Sequence, residues 1–180
     1  VMYYPTAPMA AIQRQAPNAK VTFVSAEDPA AAAKAAKSAD VAIVFATEWV
    51  GEAFDVSLTL ADNQDTVIWA VAAANPKTVV VLETGGPVLT PWADEVEGLV
   101  EAWLPGTSGG DAIANVLFGK VNPSGHLPVT FPKSLDQLPK PAAPNMGDTN
   151  YTEGATVGYK WYDAKGLEPA GVEVAKSFKK

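Results

Sequence analysis

Two nearly continuous apolar runs of strand length, residues 41–45 and 78–82, restrict the folds open to this chain more than any other feature. Neither run alternates between apolar and polar residues, which is the pattern of parallel strands that are buried on both faces. Between them, residues 63–74 place apolar side chains at helical spacing, after Asp62 as the expected N-cap and before the stop at Asn75-Pro76. Because strands joined through a helix pair in parallel, we predict a layered α/β domain with a mostly parallel sheet.

The alternation of strand and helix extends in both directions along the chain. A β-rich run at residues 21–24 precedes an Ala-rich helix at 30–39, for which Asp28 is the expected N-cap. Residues 98–104 predict another strand, and residues 110–118 predict another helix. In chain order the elements are therefore strand, helix, strand, helix, strand, strand and helix.

Proline changes the character of the chain in its last third. Pro128, Pro132, Pro139, Pro141 and Pro144 disfavour regular structure over residues 127–150, which we interpret as an extended arm. Strand character returns around residues 157–162. We divide the chain into an α/β domain at 1–138 and an extended C-terminal arm at 139–180.

Composition excludes several classes of function. The 180 residues suit one domain, and 13 Lys and Arg against 20 Asp and Glu give a net charge of −7, so we expect neither nucleic acid nor an anionic membrane surface as a partner. No apolar run reaches the roughly 18 residues of a membrane span. Without Cys, and with His126 as the single His, we expect no thiolate or His-rich metal site and no Ser-His-Asp triad. Carboxylates are left as the carriers of any chemistry, and we predict no cofactor and no metal.

The loop after the first apolar run concentrates carboxylates and aromatic side chains. Glu48, Trp49, Glu52, Phe54 and Asp55 fall within eight residues. This loop leaves the carboxyl end of a parallel strand, where ligands of open α/β sheets bind. Carboxylates that bond hydroxyl groups or transfer protons, next to aromatic faces, suit a sugar. A solvated acidic loop with Trp49 tucked beneath it is the alternative, and composition alone favours that alternative.

Segments spread over residues 39–138 resemble the second domain of glycoside hydrolase family 3, the β-glucosidase and β-xylosidase family. The match is specific because the segments keep their order and spacing. In chain order they are Ser38-Ala39-Asp40-Val41-Ala42-Ile43-Val44-Phe45, Gly51-Glu52-Ala53-Phe54-Asp55, Ala73-Ala74-Asn75-Pro76-Lys77-Thr78-Val79-Val80-Val81-Leu82, Gly85-Gly86-Pro87-Val88, Glu101-Ala102-Trp103-Leu104-Pro105-Gly106, Gly109-Gly110, Val116-Leu117-Phe118-Gly119 and Asn122-Pro123-Ser124-Gly125-His126-Leu127-Pro128-Val129-Thr130-Phe131-Pro132.

The resemblance implies a three-layer α/β sandwich of flavodoxin-like topology that packs on a TIM-barrel domain, with the active site between the two. The implied activity is that of a retaining, exo-acting β-glycosidase of the β-glucosidase type, acting on terminal β-linked sugars. Glu52 takes the role of general acid/base in the resemblance. Asp55 positions the loop or contacts the sugar, and Glu48 and Trp49 line the substrate entry. A partly desolvated Glu in an interdomain cleft has the raised pKa that this role needs.

This sequence departs from the family pattern at positions that bear on activity. Ala53 stands where the family has Gly, Val56 where Arg is common, and His126 where Lys or Arg is usual. The Ser-Asp-Trp setting of the family nucleophile, which belongs to the barrel, is absent. We therefore expect half of an active site, in a fragment, a subunit of a split enzyme or one domain of a longer protein. The isolated chain is expected to be inactive.

Other interpretations stay open from the sequence. The apolar face meant for a barrel predicts a sticky surface or a homodimer. A carbohydrate-binding or protein-interaction module without hydrolysis is one alternative function. A generic flavodoxin-like domain that binds a nucleotide or another protein is a second. The compartment is open too, with a periplasmic or secreted location compatible with the resemblance.

Overall fold

A computed structural model describes residues 6–51, 56–139, 151 and 153–170. The five α-helices of these ranges are α1 (Pro8–Gln15), α2 (Pro29–Lys37), α3 (Gln64–Ala74), α4 (Gly109–Leu117) and α5 (Tyr159–Lys165), and the three strands are β1 (Ala42–Thr47), β2 (Thr78–Glu83) and β3 (Gly98–Glu101). Short 3₁₀ helices lie at Ala93–Glu95 and Leu135–Gln137.

The described strands form one parallel sheet in the order β1-β2-β3. Ala42 is paired with Thr78 along the first ladder, and Leu82 with Glu101 along the second. Residues 79–82 of β2 are all buried, so both faces of the central strand are covered. The predicted fold class is confirmed, because an apolar run without alternation has become a strand buried on both sides.

Helix α3 anchors the core against the sheet and α2. Ile68 of α3 is fully buried with Val80 and Leu82 of β2 in one apolar cluster, which Trp92 and Phe131 complete. Complete burial of an aliphatic side chain stabilises the fold by about 1.5–3 kcal/mol. The central strand of the sheet is therefore held rigidly, and polar groups at its carboxyl end have a fixed position.

Side chains fix the ends of the helices that flank β1. The Asp28 carboxylate accepts hydrogen bonds from the N–H groups of Ala30 and Ala31 at 2.9 and 3.1 Å, which confirms the predicted cap of α2. The buried amide of Asn75 donates to the carbonyl oxygens of Ala36 and Ala39, both at 2.9 Å. These bonds tie the last turn of α2 to the end of α3.

The cap predicted for α3 is wrong. Asp62 has a positive φ of 57°, and the helix begins after Asn63, whose side chain makes no capping bond. Gln64, the first residue of α3, instead turns its amide toward β1. The start of this helix is thus organised by a contact to the sheet.

The strand predicted at residues 21–24 does not form, and the chain before it holds a helix that the sequence analysis did not predict. Phe23 is 72% exposed, so this run has no surface against which to bury. Helix α1 packs on α4, and the Thr6 hydroxyl oxygen accepts from the Asp111 N–H at 3.2 Å. Arg14 forms an ion pair with Asp111. The N-terminal segment therefore covers a helix rather than extending the sheet.

The strand character predicted around residues 157–162 is also wrong, because this region begins α5. Gly158 and Gly166 flank the helix with positive φ values of 56° and 62°. Tyr162 is buried, and Lys165 lies over the Trp161 ring at 4.8 Å. Three β-forming aromatic residues in a short run do not outweigh a helix that two glycines of positive φ delimit.

Residues 127–139 run without a strand or α-helix, as the prolines predicted. Phe131 is nonetheless buried, and its carbonyl accepts from the Ala170 N–H at 2.9 Å. The Trp161 indole donates to the Gln137 carbonyl at 2.9 Å. The remaining parts of the predicted arm, 140–150, 152 and 171–180, lie outside the described residues. Among the described helices, none is long and apolar enough to cross a membrane.

Candidate functional site

A carboxylate stands at the carboxyl end of each described strand. Glu83 and Glu101 are the last residues of β2 and β3, and Glu48 follows the last residue of β1. Because the strands are parallel, these ends meet at one edge of the sheet. The edge is where ligands of open α/β sheets bind, so the structure assembles acidic groups where chemistry is expected.

Strand register places several of these groups on one face. Leu82 is paired with Glu101, and Ala46 with Leu82, so their side chains point to the same side of the sheet. Glu48 lies two residues after Ala46, and Thr84 lies two residues after Leu82. Because side chains alternate along a strand, Glu48 and Thr84 are on this same side of the sheet. Glu83 is paired with Thr47 and belongs to the opposite side.

Hydrogen bonds hold Glu101 firmly. Its Oε1 accepts from the Trp103 N–H at 2.7 Å, and its Oε2 lies 3.3 Å from the Thr84 hydroxyl oxygen. The Thr84 hydroxyl also donates to the Gly86 carbonyl at 2.7 Å. Since a hydroxyl has one hydrogen, the shorter bond takes it, and a protonated Glu101 can then donate to Thr84.

Burial raises the pKa of Glu101 to about 7. The negative charge of Glu48 contributes to this rise in the pKa, while the hydrogen bonds that Glu101 makes with Trp103 and Thr84 oppose it. Burial raises the pKa values of Glu48 and Glu83 as well. The carboxyl end of the sheet thus raises the pKa values of its carboxyl groups, and that of Glu101 reaches the neutral range in which acid–base sites work.

Glu48 is buried, with 8% of its surface exposed, and its backbone N–H donates to the Glu83 carbonyl at 3.2 Å. Its Oε2 has no hydrogen-bond partner among the described residues. A buried oxygen without a donor is costly in a folded protein. The oxygen is therefore an acceptor that a hydroxyl group could satisfy.

Trp49 is almost fully solvated, with 93% of its surface exposed. The alternative in which this side chain is tucked beneath the loop is wrong. Val50, the next residue, turns back and is half-buried against Gly85. The loop therefore presents an indole to solvent, while the next residue packs against the turn that follows β2.

Gln64 holds the residue from which the loop departs. Its amide oxygen accepts from the Thr47 N–H at 2.8 Å, and its amide nitrogen donates to the Thr47 carbonyl at 2.9 Å. The same nitrogen also donates to the Ala61 carbonyl oxygen at 3.1 Å. One side chain thus satisfies both backbone groups at the end of β1.

Glu52 and Asp55 lie outside the described residues, so their predicted roles stay predictions. Of the four predicted site residues, the structure places Glu48 and Trp49, one buried and one exposed, on consecutive positions. Within the described ranges, no group of three or more His, Cys, Asp or Glu side chains could hold a metal ion.

The sequence analysis missed Glu101 and Glu83 as site residues. Glu83 directly follows the apolar run 78–82, and that signal was available in the sequence, whereas Glu101 lies inside the apolar run predicted as the strand 98–104. A shallow open depression of about 290 Å³, lined by Lys37, Asp40 and Lys77 among others, lies at the amino ends of the strands. It is therefore on the opposite edge from the carboxylates.

Comparisons with known proteins agree on one family. A family model described as the glycosyl hydrolase family 3 C-terminal domain matches residues 1–159. Thermostable β-glucosidase B of Acetivibrio thermocellus is 47% identical over 144 residues, which cover 77% of this chain and 19% of that protein. The crystal structure of DesR, a β-glucosidase from Streptomyces venezuelae in complex with D-glucose, has 40% identity and a TM-score of 0.72, over 78% of this chain and 19% of DesR. A family 3 β-glucosidase from Neurospora crassa has 29% identity and a TM-score of 0.84, over 93% of this chain and 22% of its own. The chain thus spans about a fifth of the length of these relatives.

Proposed function

Because this chain belongs to the glycosyl hydrolase family 3 C-terminal domain family, we propose that it is the acid/base-bearing domain of a retaining, exo-acting β-glycosidase of the β-glucosidase type. The observation that carries the proposal is the carboxyl edge of the sheet, where buried carboxyl groups adjoin the loop that leads to Glu52. The relatives are named β-glucosidases, and one of them holds D-glucose. The substrate is a terminal β-glucoside or an oligosaccharide that ends in one.

Glu52 acts twice in this mechanism. In the first step its proton goes to the glycosidic oxygen as the bond from that oxygen to the anomeric carbon breaks, and a nucleophilic carboxylate takes the sugar. In the second step ionised Glu52 removes a proton from water, whose oxygen attacks the anomeric carbon and displaces the nucleophile. The configuration is retained because the anomeric carbon is inverted twice.

Glu48, Trp49 and Asp55 are the proposed substrate contacts. The exposed Trp49 indole offers a face on which the C–H edge of a sugar ring stacks. The unpartnered Oε2 of Glu48 accepts a hydrogen bond from a sugar hydroxyl at the edge of the sheet. Asp55 positions the loop that carries Glu52 or bonds the sugar directly.

A TIM-barrel domain, in the same polypeptide or as a separate subunit, is the proposed partner that supplies the nucleophile. Trp49 and Leu104 are 93% and 69% exposed, and an interdomain cleft would shelter such apolar side chains. A homodimer through the same surface is the alternative arrangement. Without the barrel, the chain has no nucleophile to pair with Glu52.

The test replaces Glu52 with Gln in the complete enzyme, in which this chain is joined to its barrel domain. An aryl β-glucoside with a nitrophenyl leaving group departs without protonation, whereas an alkyl β-glucoside needs the acid. We expect the variant to turn over the alkyl glucoside roughly 10²–10⁴-fold more slowly than the parent enzyme. The rate at which it releases nitrophenol from the nitrophenyl glucoside should fall much less.

Glu97→Gln is the matched control, because Glu97 is an exposed carboxylate just before β3, at the opposite edge of the sheet. We expect it to leave both turnovers unchanged. An equal, small effect of both variants on both substrates would contradict the acid/base role. The exposed indole of Trp49 also favours a carbohydrate-binding module, and sugar binding without any turnover by the complete protein would support that function instead.

A further inference from the structure

Gly85 makes an unusually close approach to the loop that leaves β1. A methyl group added at Gly85 would lie 1.6 Å from Val50 Cγ2, 3.1 Å from Val50 Cβ and 3.7 Å from Val50 Cγ1. Non-bonded carbon atoms pack at about 3.5–4.0 Å. The space that a side chain would need at position 85 is thus already filled by Val50.

We propose that Gly85 is a positioning residue for the glycosidase reaction. Because Gly85 has no side chain, the turn that follows β2 leaves room for the Val50 side chain. We call this space the seat, and it holds in place the segment that leads to Glu52. The inference rests on the proposed function of Glu52, and it adds a residue to which neither the family match nor the predicted site residues assign a role.

The need for glycine here is steric and does not come from the backbone. Gly85 is not among the glycines with positive φ, so an L-residue fits its conformation. Gly86, the next residue in the same turn, has no heavy atom within 4 Å of an added methyl group. An added methyl group therefore meets a loop residue at Gly85 and open space at Gly86.

Val50 cannot easily give way. Its β-branched side chain is stiff at χ1, and all three of its carbon atoms lie within 3.7 Å of the added methyl group. An alanine at position 85 therefore forces Val50 out of its place, either by rotation about χ1 or by a movement of the loop backbone. Val50 precedes Glu52 by two residues in the sequence, so we expect a displacement of Val50 to alter the activity that depends on Glu52.

The seat completes a set of attachments along the same segment. Gln64 brackets the backbone of Thr47, and the Glu48 N–H donates to the Glu83 carbonyl. These bonds hold the loop where it leaves β1. Val50 adds a third attachment, to the turn after β2, and only Gly51 separates it from Glu52 in the sequence.

The experiment compares Gly85→Ala with Gly86→Ala in the complete enzyme, with alkyl and nitrophenyl β-glucosides as substrates. A misplacement of about 1 Å can cost roughly 10²-fold in rate. We expect Gly85→Ala to lose roughly 10- to 100-fold in kcat/KM on the alkyl glucoside and several-fold less on the nitrophenyl glucoside. Gly86→Ala should stay within about twofold on both.

Rescue separates positioning from general damage. In the double variant Val50→Ala/Gly85→Ala, the new methyl group enters space that the Val50 methyl groups have left. We expect the double variant to recover most of the alkyl-glucoside activity, with the same melting temperature as Val50→Ala alone. Equal losses in Gly85→Ala and Gly86→Ala, equal losses on the two substrates, or no recovery in the double variant would each overturn the proposal.

Two outcomes remain interpretable if Gly85→Ala does not fold. Val50→Ala alone empties the seat without a clash, and a loss confined to the alkyl glucoside supports the proposal, whereas an equal loss on both substrates overturns it. A different result would overturn the proposed function: the loss of activity in Glu52→Gln would then be the same for the alkyl and the nitrophenyl glucoside. If Glu52→Gln shows the expected dependence on the leaving group while Gly85→Ala keeps the activity of the parent enzyme, only the positioning role of Gly85 is overturned.

Discussion

Single carboxyl groups at the end of the sheet hold protons at pH values where exposed Glu side chains do not. Glu101 ends β3 beside Thr84, and burial raises its pKa to about 7. Its neighbour Glu48 is buried too and adds its charge to the same effect. At the scale of the residue, the site is a low-dielectric edge that stabilises neutral acids.

Stability should therefore fall as the pH rises through the pKa of Glu101. The folded pKa is about 7 and the ordinary value is 4.5, so the folded chain binds this proton more tightly than the unfolded chain. The contribution is complete below pH 4.5 and is lost as the pH rises through about 7. We expect Glu101→Gln, which stays neutral, to be more stable than the parent at pH 8 by about 1–2 kcal/mol, a value discounted for solvent screening.

Denaturant unfolding at pH 5 and pH 8 measures this difference. Glu97→Gln, at an exposed position, is the control and should follow the parent at both pH values. A variant Glu101→Gln that loses stability in parallel with the parent between the two pH values would show that Glu101 ionises normally.

Elements reach their places through a few contacts between distant parts of the chain. Helix α1 lies on α4, where Thr6 caps the Asp111 N–H and Gln15 donates to the Asn115 side chain at 2.7 Å. A methyl group added at Gly110 would lie 2.2 Å from the Thr6 carbonyl oxygen. The N-terminal segment can pack on α4 only because position 110 has no side chain.

Gly110→Ala should accordingly weaken the fold. The added methyl group would overlap the backbone of Thr6, so the N-terminal segment or α4 must shift, at a cost of about 1–3 kcal/mol. Gly125→Ala is the matched control, since nothing lies within 4 Å of its added methyl group and its φ is not positive. Thermal unfolding of both variants measures the difference. Equal melting temperatures would mean that α1 does not depend on this approach.

Elements with a strong local pattern were predictable. Strands β1 and β2 and helices α2, α3 and α4 follow from apolar runs, helical spacing and the Asp28 cap, which are all properties of neighbouring residues. The strand expected at residues 21–24 failed because an edge strand needs a partner, and propensity alone does not supply one. Helix α5 was missed because its limits depend on the positive φ values of Gly158 and Gly166.

The site was predictable in part. Its location at the carboxyl edge followed from the parallel sheet, and the loop of carboxylates and aromatics followed from composition. The proximity of Glu101, Thr84 and Glu48 depends on strand register, which no local pattern encodes. The contact between Gly85 and Val50 joins two loops far apart in sequence, so it too needed the structure.

The whole chain is, in the proposed function, one side of an active site. It spans about a fifth of its relatives' length, and the proposed nucleophile belongs to a partner domain. We expect the 180-residue chain alone to release no nitrophenol from nitrophenyl β-glucoside or β-xyloside, because even an activated leaving group needs a nucleophile. Addition of a barrel domain should create turnover. Turnover by the isolated chain that Glu52→Ala abolishes would show that the chain carries its own second carboxylate.

The most direct test of the acid/base role is chemical rescue of Glu52→Ala in the complete enzyme. With nitrophenyl β-glucoside the sugar still transfers to the nucleophile, but water then lacks its base and the second step slows. Azide needs no base, so we predict that it accelerates turnover and yields β-glucosyl azide with retained configuration. The parent enzyme should form glucose and gain nothing from azide. Turnover of Glu52→Ala that equals the parent's, with no glucosyl azide formed, would contradict the role of Glu52.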